Sequence, residues 1–259
     1  MNPKLSLSIA DLPLGIGWED LFSLAKNFNL DGIEVVLGYK TLLKFENILK
    51  LSLKYNIPIL TVHEPGWSTF GFFNYEGSFK TAKEVGASYN AHPKMLQPVC
   101  SEKSKKYFRW LSEMSRKYNV EVLLENLPPV FGFDILDAFL KADKTNADLK
   151  EIKNVCKEYN FNITLDTSHL QAAIPQEAAG FEESWPFIKN IHLSSFNKTR
   201  QHLSLTKGFL DINKFLDYLK LKNYGGSITI ELTVKLFYPR QQYFKEIEES
   251  VEIIKKYFK

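Results

Sequence analysis

The feature that most constrains this chain is a strand-like run followed by an amphipathic or loop-and-helix stretch, repeated eight times. The runs are "LSLSIA" (Leu5–Ala10), "GIEVVL" (Gly32–Leu37), "PILTVHEP" (Pro58–Pro65) and "SYNAHP" (Ser88–Pro93), then "VEVLLEN" (Val120–Asn126), "NITLD" (Asn162–Asp166), "IKNIHLS" (Ile188–Ser194) and "SITIELT" (Ser227–Thr233). Helical patterns are expected over Trp18–Asn27, Thr41–Tyr55, Ser101–Asn119, within Phe133–Tyr159, over Asp211–Tyr224, and from Tyr243 onward. Alternation of this kind builds a parallel sheet, and eight units suggest an α/β fold closed as a single (β/α)8 barrel. An open doubly wound sheet would place a Gly-rich phosphate loop after the first strand, and "ADLPLGIGW" lacks that spacing. No internal repeat or linker breaks the pattern, so residues 1–259 are expected to form one domain.

Composition narrows the classes. A hydrophobic fraction of 44% supports a large core, and a formal charge of +3 makes no case for nucleic acid by itself. Two cysteines, Cys100 and Cys156, fit a reducing, cytoplasmic setting better than a disulfide framework. The N-terminal stretch reaches Asp11 before any signal-like apolar run, and no segment approaches the ~18 apolar residues of a membrane span.

The polar residues inside the strands are more specific. Side chains alternate between faces along a strand, so each barrel strand has an inward and an outward phase. Ile228 and Ile230 oppose Ser227, Thr229 and Glu231; Ile163 and Leu165 oppose Thr164 and Asp166. Val122 and Leu124 oppose Glu125; Ile191 and Leu193 oppose Asn190 and His192. With the apolar phases facing the helices, Glu125, Asp166, His192 and Glu231 point inward at the C-terminal mouth, where barrel enzymes keep their sites. Glu34 shares the inward phase of the second strand. The five histidines are His63, His92, His169, His192 and His202; four lie at or just past strand ends and the fifth in the loop after strand seven. Any one strand-end histidine is adequately explained as a satisfied polar group. Converging carboxylates are harder to explain, because they repel unless protonated or neutralised by a cation. A divalent metal is the simplest remedy.

In order and spacing, "DGIEV", "TVHEP", "NAHP", "VLLEN", "LDTSH", "NIHLS" and "SITIEL" resemble the xylose isomerase-like barrel superfamily. That group holds sugar and sugar-phosphate isomerases and epimerases, and also the endonuclease IV type of abasic-site nuclease. The resemblance implies that Glu125, Asp166, His192 and Glu231 bind one divalent metal and that His169 contacts substrate. On the isomerase side, Glu125 and Glu231 exchange a carbon-bound proton beside a polarised carbonyl. His63 and His92 are then supporting or substrate-contact residues. Such ligation suits Mn²⁺, Mg²⁺ or Co²⁺, with Zn²⁺ compatible, and the partner is a small carbohydrate-like molecule. On the nuclease side, His63, His92, His169 and His202 hold further zinc ions. There the resemblance calls for an aspartate two residues before His202, and the chain has Arg200, which costs a third metal an anionic ligand. Arg200 is instead expected to bind an anionic or oxygen-rich part of a small substrate. The basic run "KSKKYFR" lies on an outer helix and reads as a solvated face rather than a DNA contact. A barrel that binds metal or ligand without turnover is a third reading, since fold does not determine function. The aromatic segment Trp67–Tyr75 reads equally as a lid, a packed loop or a dimer contact.

Overall fold

The computed structural model describes residues 2–9, 16–37, 45–64, 76–128, 144–232 and 238–258. Eight parallel strands close into one barrel in sequence order. They are β1 (Lys4–Ile9), β2 (Gly32–Val36), β3 (Ile59–His63), β4 (Ser88–Ala91), β5 (Val122–Glu125), β6 (Asn162–Asp166), β7 (Ile188–Leu193) and β8 (Ser227–Ile230). The helices are α1 (Trp18–Asn27), α2 (Phe45–Tyr55), α3 (Glu76–Val85), α4 (Glu102–Tyr118), α5 (Leu149–Tyr159), α6 (Thr167–Leu170), α7 (Phe181–Ser184), α8 (Ile212–Leu221) and α9 (Arg240–Phe258). The crossover from β6 to β7 carries only short helical pieces, as "PQEAAGFEESW" suggests. Trp67–Tyr75 and the starts of the patterns at Thr41 and Phe133 lie outside the described residues. No helix among the described residues is long and apolar enough to cross a membrane.

The helix ends follow local chemistry. Ser101 caps α4 by accepting from the Ser104 N–H, Asp148 caps α5 and Asp211 caps α8. Asn119 and Asn160 close α4 and α5 in the left-handed conformation that asparagine tolerates. On α4, Ser104, Tyr107, Phe108 and Leu111 are buried, while Lys103, Lys106 and Arg109 stay exposed, as expected of a solvated basic face.

The expected split of strand faces holds. Leu7, Ile33, Val35, Val62, Tyr89, Val122, Leu124, Ile163, Leu165, Ile191, Ile228 and Ile230 join the core between barrel and helices. The opposite phase makes a polar interior. Ser6 and Thr229 share a hydroxyl bond of 2.6 Å, Thr229 donates to Asn190 Oδ1 at 3.0 Å, and Asn190 Nδ2 reaches Thr164 at 3.5 Å. This belt leaves the barrel floor hydrogen-bonded beneath the mouth. Register shifts fall just before Glu34 on β2 and Thr164 on β6. Each is one step before polar interior residues, where an irregularity can re-aim side chains. Gly32 opens β2 because a Cβ there would meet Leu60 Cγ at 2.4 Å.

Candidate metal centre at the barrel mouth

Seven strands deliver the cluster. Glu34 lies on β2, His63 ends β3, His92 follows β4 by one residue, Glu125 ends β5, Asp166 ends β6 and His192 lies near the end of β7. Glu231 comes directly after β8. Asp166 also starts α6: its Oδ1 accepts from the His169 N–H at 2.7 Å and from the Ser168 hydroxyl at 2.9 Å. One residue thus turns the chain and places His169, while its Oδ2 stays uncommitted. "DTSH" is therefore a capped helical turn attached to the strand end. His202 reaches the site from the β7–α8 loop, which is pinned by an antiparallel bridge between Ser195 and Leu203. Its φ of 52° is a left-handed value that costs energy for a residue with a Cβ.

Three overlapping groups result, each with ligand atoms within 4.8 Å of one another: Glu125, Asp166, His192 and Glu231; His63, His92 and Glu125; Asp166, His169 and His202. Glu125 is the hub. Its Oε2 lies 3.3 Å from His63 Nε2, 3.4 Å from His92 Nε2 and 3.2 Å from His192 Nδ1, and its Oε1 lies 3.2 Å from His169 Nδ1. Glu231 Oε2 sits 2.8 Å from His192 Nδ1. Every residue the sequence nominated for this site, except Arg200 and Glu34, enters these groups. Glu34 stands apart from the three groups, behind His192, with its Oε2 2.9 Å from Nε2 of that ring.

The atoms facing the centre are the ones a cation needs. Asp166 Oδ2, Glu231 Oε2, His192 Nδ1 and His202 Nδ1 are buried without a hydrogen-bond partner. Buried polar atoms are normally paired, so several orphans pointing at one another mark a place for a positive charge. Hard carboxylate oxygens with imidazole nitrogen suit a divalent ion, and the residues present fit one. Protons serve as partial substitutes in the free protein. Burial pushes the imidazoles toward neutrality, yet the surrounding carboxylates outweigh it. His92 rises to about 10 through Glu125 and Glu64; His63, His169 and His192 also rise. Burial would likewise raise Glu125 and Glu231, but the charge on His192, helped by His92 at Glu125 and by His202 at Glu231, holds both below the usual carboxylate range.

Some residues that shape the site were not singled out from sequence. Glu64 is buried directly after His63; it accepts from the His92 backbone N–H at 2.7 Å and from the Tyr107 hydroxyl at 2.8 Å. Lys94 lies with its Nζ 3.6 Å from the centre of the Tyr107 ring. Asn126 exchanges hydrogen bonds with the Asp166 backbone at 2.8 and 3.1 Å, and its carbonyl lies 2.9 Å from His169 Nδ1. Asn90 donates to Glu125. The available signal was a polar side chain, Glu64 or Asn126, in the phase that elsewhere is apolar. Arg200 is half-buried in a turn where its N–H donates to Asn197 Oδ1 at 2.9 Å, and among the described residues its guanidinium has no carboxylate partner. The loss of an anionic ligand expected from Arg200 is offset, because Asp166 brings a carboxylate to His169 and His202.

Comparison with known proteins bears on this barrel. No curated protein sequence matches the chain. Solved structures do match in fold. The apo 3-keto-D-glucoside 4-epimerase of E. coli aligns at 15% identity over 97% of this chain and 99% of its own, with a TM-score of 0.70. The D-allulose 3-epimerase of a Methylomonas species, in complex with D-allulose, aligns at 14% identity over 99% and 98%, with a TM-score of 0.71. A family 2 AP endonuclease of Brucella melitensis aligns at 14% identity over 91% and 95%, with a TM-score of 0.64. Sequence itself supplies the assignment: residues 64–257 match the profile described as xylose isomerase-like TIM barrel, and the chain belongs to that family.

Proposed function

We propose that this chain is a divalent-metal-dependent isomerase or epimerase of a sugar, sugar phosphate or related hydroxy-carbonyl compound. The observation that carries the reading is the set of buried atoms without a hydrogen-bond partner, Asp166 Oδ2, His192 Nδ1 and Glu231 Oε2, beside Glu125. Mn²⁺, Mg²⁺ and Co²⁺ suit that set, and Zn²⁺ is compatible. An ion held there supplies a Lewis acid that polarises a substrate carbonyl and acidifies the neighbouring C–H.

The protein's own groups then divide the remaining work. Glu231 is the better placed base, since it is slightly more open than Glu125 and, with Oε2 given to the ion, its second oxygen is left for the substrate. It takes the carbon-bound proton. Glu125 delivers a proton on the other face, drawn from the protonated ring of His63 or His92, which with Asn90 hold its carboxylate in place. His169 and His202 meet substrate oxygens, and Arg200 receives an anionic or oxygen-rich part of the substrate. The likeness to barrels named as sugar epimerases supports this class.

A second reading is phosphodiester cleavage at abasic DNA with up to three zinc ions. It is favoured by the two additional groups, His63–His92–Glu125 and Asp166–His169–His202. One experiment separates them: incubate the protein with a panel of ketoses, aldoses and their phosphates, and with abasic duplex, each with Mn²⁺, Zn²⁺ or chelator. Metal-dependent sugar turnover without strand cleavage supports the isomerase. Cleavage of the duplex with three zinc ions per chain replaces it with the nuclease.

A further inference from the structure

Glu34 is a fully buried carboxylate inside the barrel, and proton transfer does not use it. Both of its oxygens are committed. Oε1 accepts from the Ser8 hydroxyl at 2.9 Å, and Oε2 lies 2.9 Å from His192 Nε2. An acceptor-only carboxylate at that distance places a proton on Nε2. The other ring nitrogen, Nδ1, is the one facing Glu125, Asp166 and Glu231, and it has no hydrogen-bond partner. The His63 ring, 5.9 Å away between centroids and inclined by 23°, stacks against the same imidazole. The ring is therefore held from two sides with one nitrogen turned toward the carboxylates.

We propose that Glu34 is a positioning residue: with Ser8 behind it, it holds the proton of His192 on Nε2 so that the ring meets the ion through Nδ1. This rests on the reading of Glu125, Asp166, His192 and Glu231 as an ion site. A carboxylate behind a ligating histidine sets its tautomer and raises its basicity, and removing such a partner commonly costs about 10–100-fold in metal affinity. Glu34 is thus a support for the ion site and no part of the substrate surface, although its strand phase alone does not distinguish the two.

The test is Co²⁺ titration of the wild type, Glu34→Gln, Glu34→Leu, Ser8→Ala and the ligand variant Asp166→Asn. It is joined to long-range ¹H–¹⁵N imidazole spectra of the Zn²⁺-loaded proteins. Glu34→Leu should weaken Co²⁺ binding by about 10–100-fold. Glu34→Gln, which keeps an acceptor but removes the charge, should fall between it and the wild type, and Ser8→Ala should have the smallest effect. The loaded wild type should show His192 protonated at Nε2, with that signal altered in Glu34→Leu. Should Glu34→Leu fail to fold, Glu34→Gln and Ser8→Ala carry the same ordering. Wild-type affinity in the Glu34 variants, or a His192 proton on Nδ1, overturns the proposal while a Co²⁺ loss in Asp166→Asn leaves the ion site standing. If neither the wild type nor Asp166→Asn binds Co²⁺, the ion site itself is wrong and the role of Glu34 falls with it.

Discussion

His169 and His202 present their Nε2 atoms to each other at 3.1 Å, with the rings nearly perpendicular. His169 Nδ1 lies 2.9 Å from the Asn126 carbonyl, so that nitrogen is the donor and a neutral ring turns its lone pair toward His202. Two lone pairs do not face each other at this distance. Either one of the two rings carries a proton on Nε2 and donates it, or both lone pairs are shared by a cation or a substrate hydroxyl.

The proposed function assigns that place to substrate. His169→Ala and His202→Ala should therefore raise the Michaelis constant while the tightly bound ion of the four-residue group is retained, as metal analysis of chelator-free protein would report. Arg200→Ala should behave in the same way. Loss of one of several zinc ions from both histidine variants would favour the three-metal nuclease instead.

Asp166 joins two tasks that substitution can separate. Asp166→Asn keeps an Oδ1 able to cap α6 but removes the anionic Oδ2, so it should lose the ion at nearly wild-type folding stability. Asp166→Ala should lose the ion and also about 0.5–2 kcal/mol of stability with the cap. Chemical denaturation of the metal-free proteins compares the two.

Glu125→Gln and Glu231→Gln should each lower turnover by about 10²–10⁴-fold, more than their residual metal occupancy explains. Solvent-deuterium exchange into substrate assigns the steps. Exchange that survives in Glu125→Gln and vanishes in Glu231→Gln would identify Glu231 as the first base, whereas equal survival in both would remove proton abstraction from the mechanism.

Ion binding and protonation oppose each other here. His92 is raised from 6.5 to about 10 in the metal-free protein, and His63, His169 and His192 are raised too. A group raised on folding contributes stability that is complete below its unfolded value and is lost as pH climbs through its folded value. The metal-free protein should therefore lose stability between about pH 6.5 and 10 relative to the loaded one. Ion affinity should rise over the same interval as protons leave. Thermal unfolding with and without Zn²⁺, and calorimetry in buffers of different ionisation enthalpy, measure both effects.

Tyr107→Phe removes a donor from the buried Glu64 carboxylate and should cost about 1.5–3 kcal/mol, the range for hydrogen bonds to charged groups. Equilibrium denaturation tests this, and a change below about 0.5 kcal/mol, typical of a surface substitution, would show that Glu64 is otherwise satisfied.

The barrel was legible in the sequence because period and order are local properties. Alternating faces in "SITIEL" and "NITLD" separate core from interior without any knowledge of neighbours. The same alternation nominated Glu125, Asp166, His192 and Glu231, which meet at one mouth once eight parallel strands close. What period cannot convey is which inward residues touch. Glu34 and His192 are 158 positions apart in the chain, and only closure of the barrel sets one behind the other. Glu64 occupies an outward phase, where pattern expects an apolar residue; its partners just after β4 and on α4 exist only in the packed structure. The identity of the uncommitted atoms was likewise beyond the sequence. Whether Asp166 spends both oxygens on capping, or keeps Oδ2 free for an ion, depends on the capped turn that follows its strand. Residue type determined the chemistry on offer, and tertiary closure decided which lone pairs remained for a ligand, because hydrogen bonds are allotted by distance in space and not along the chain.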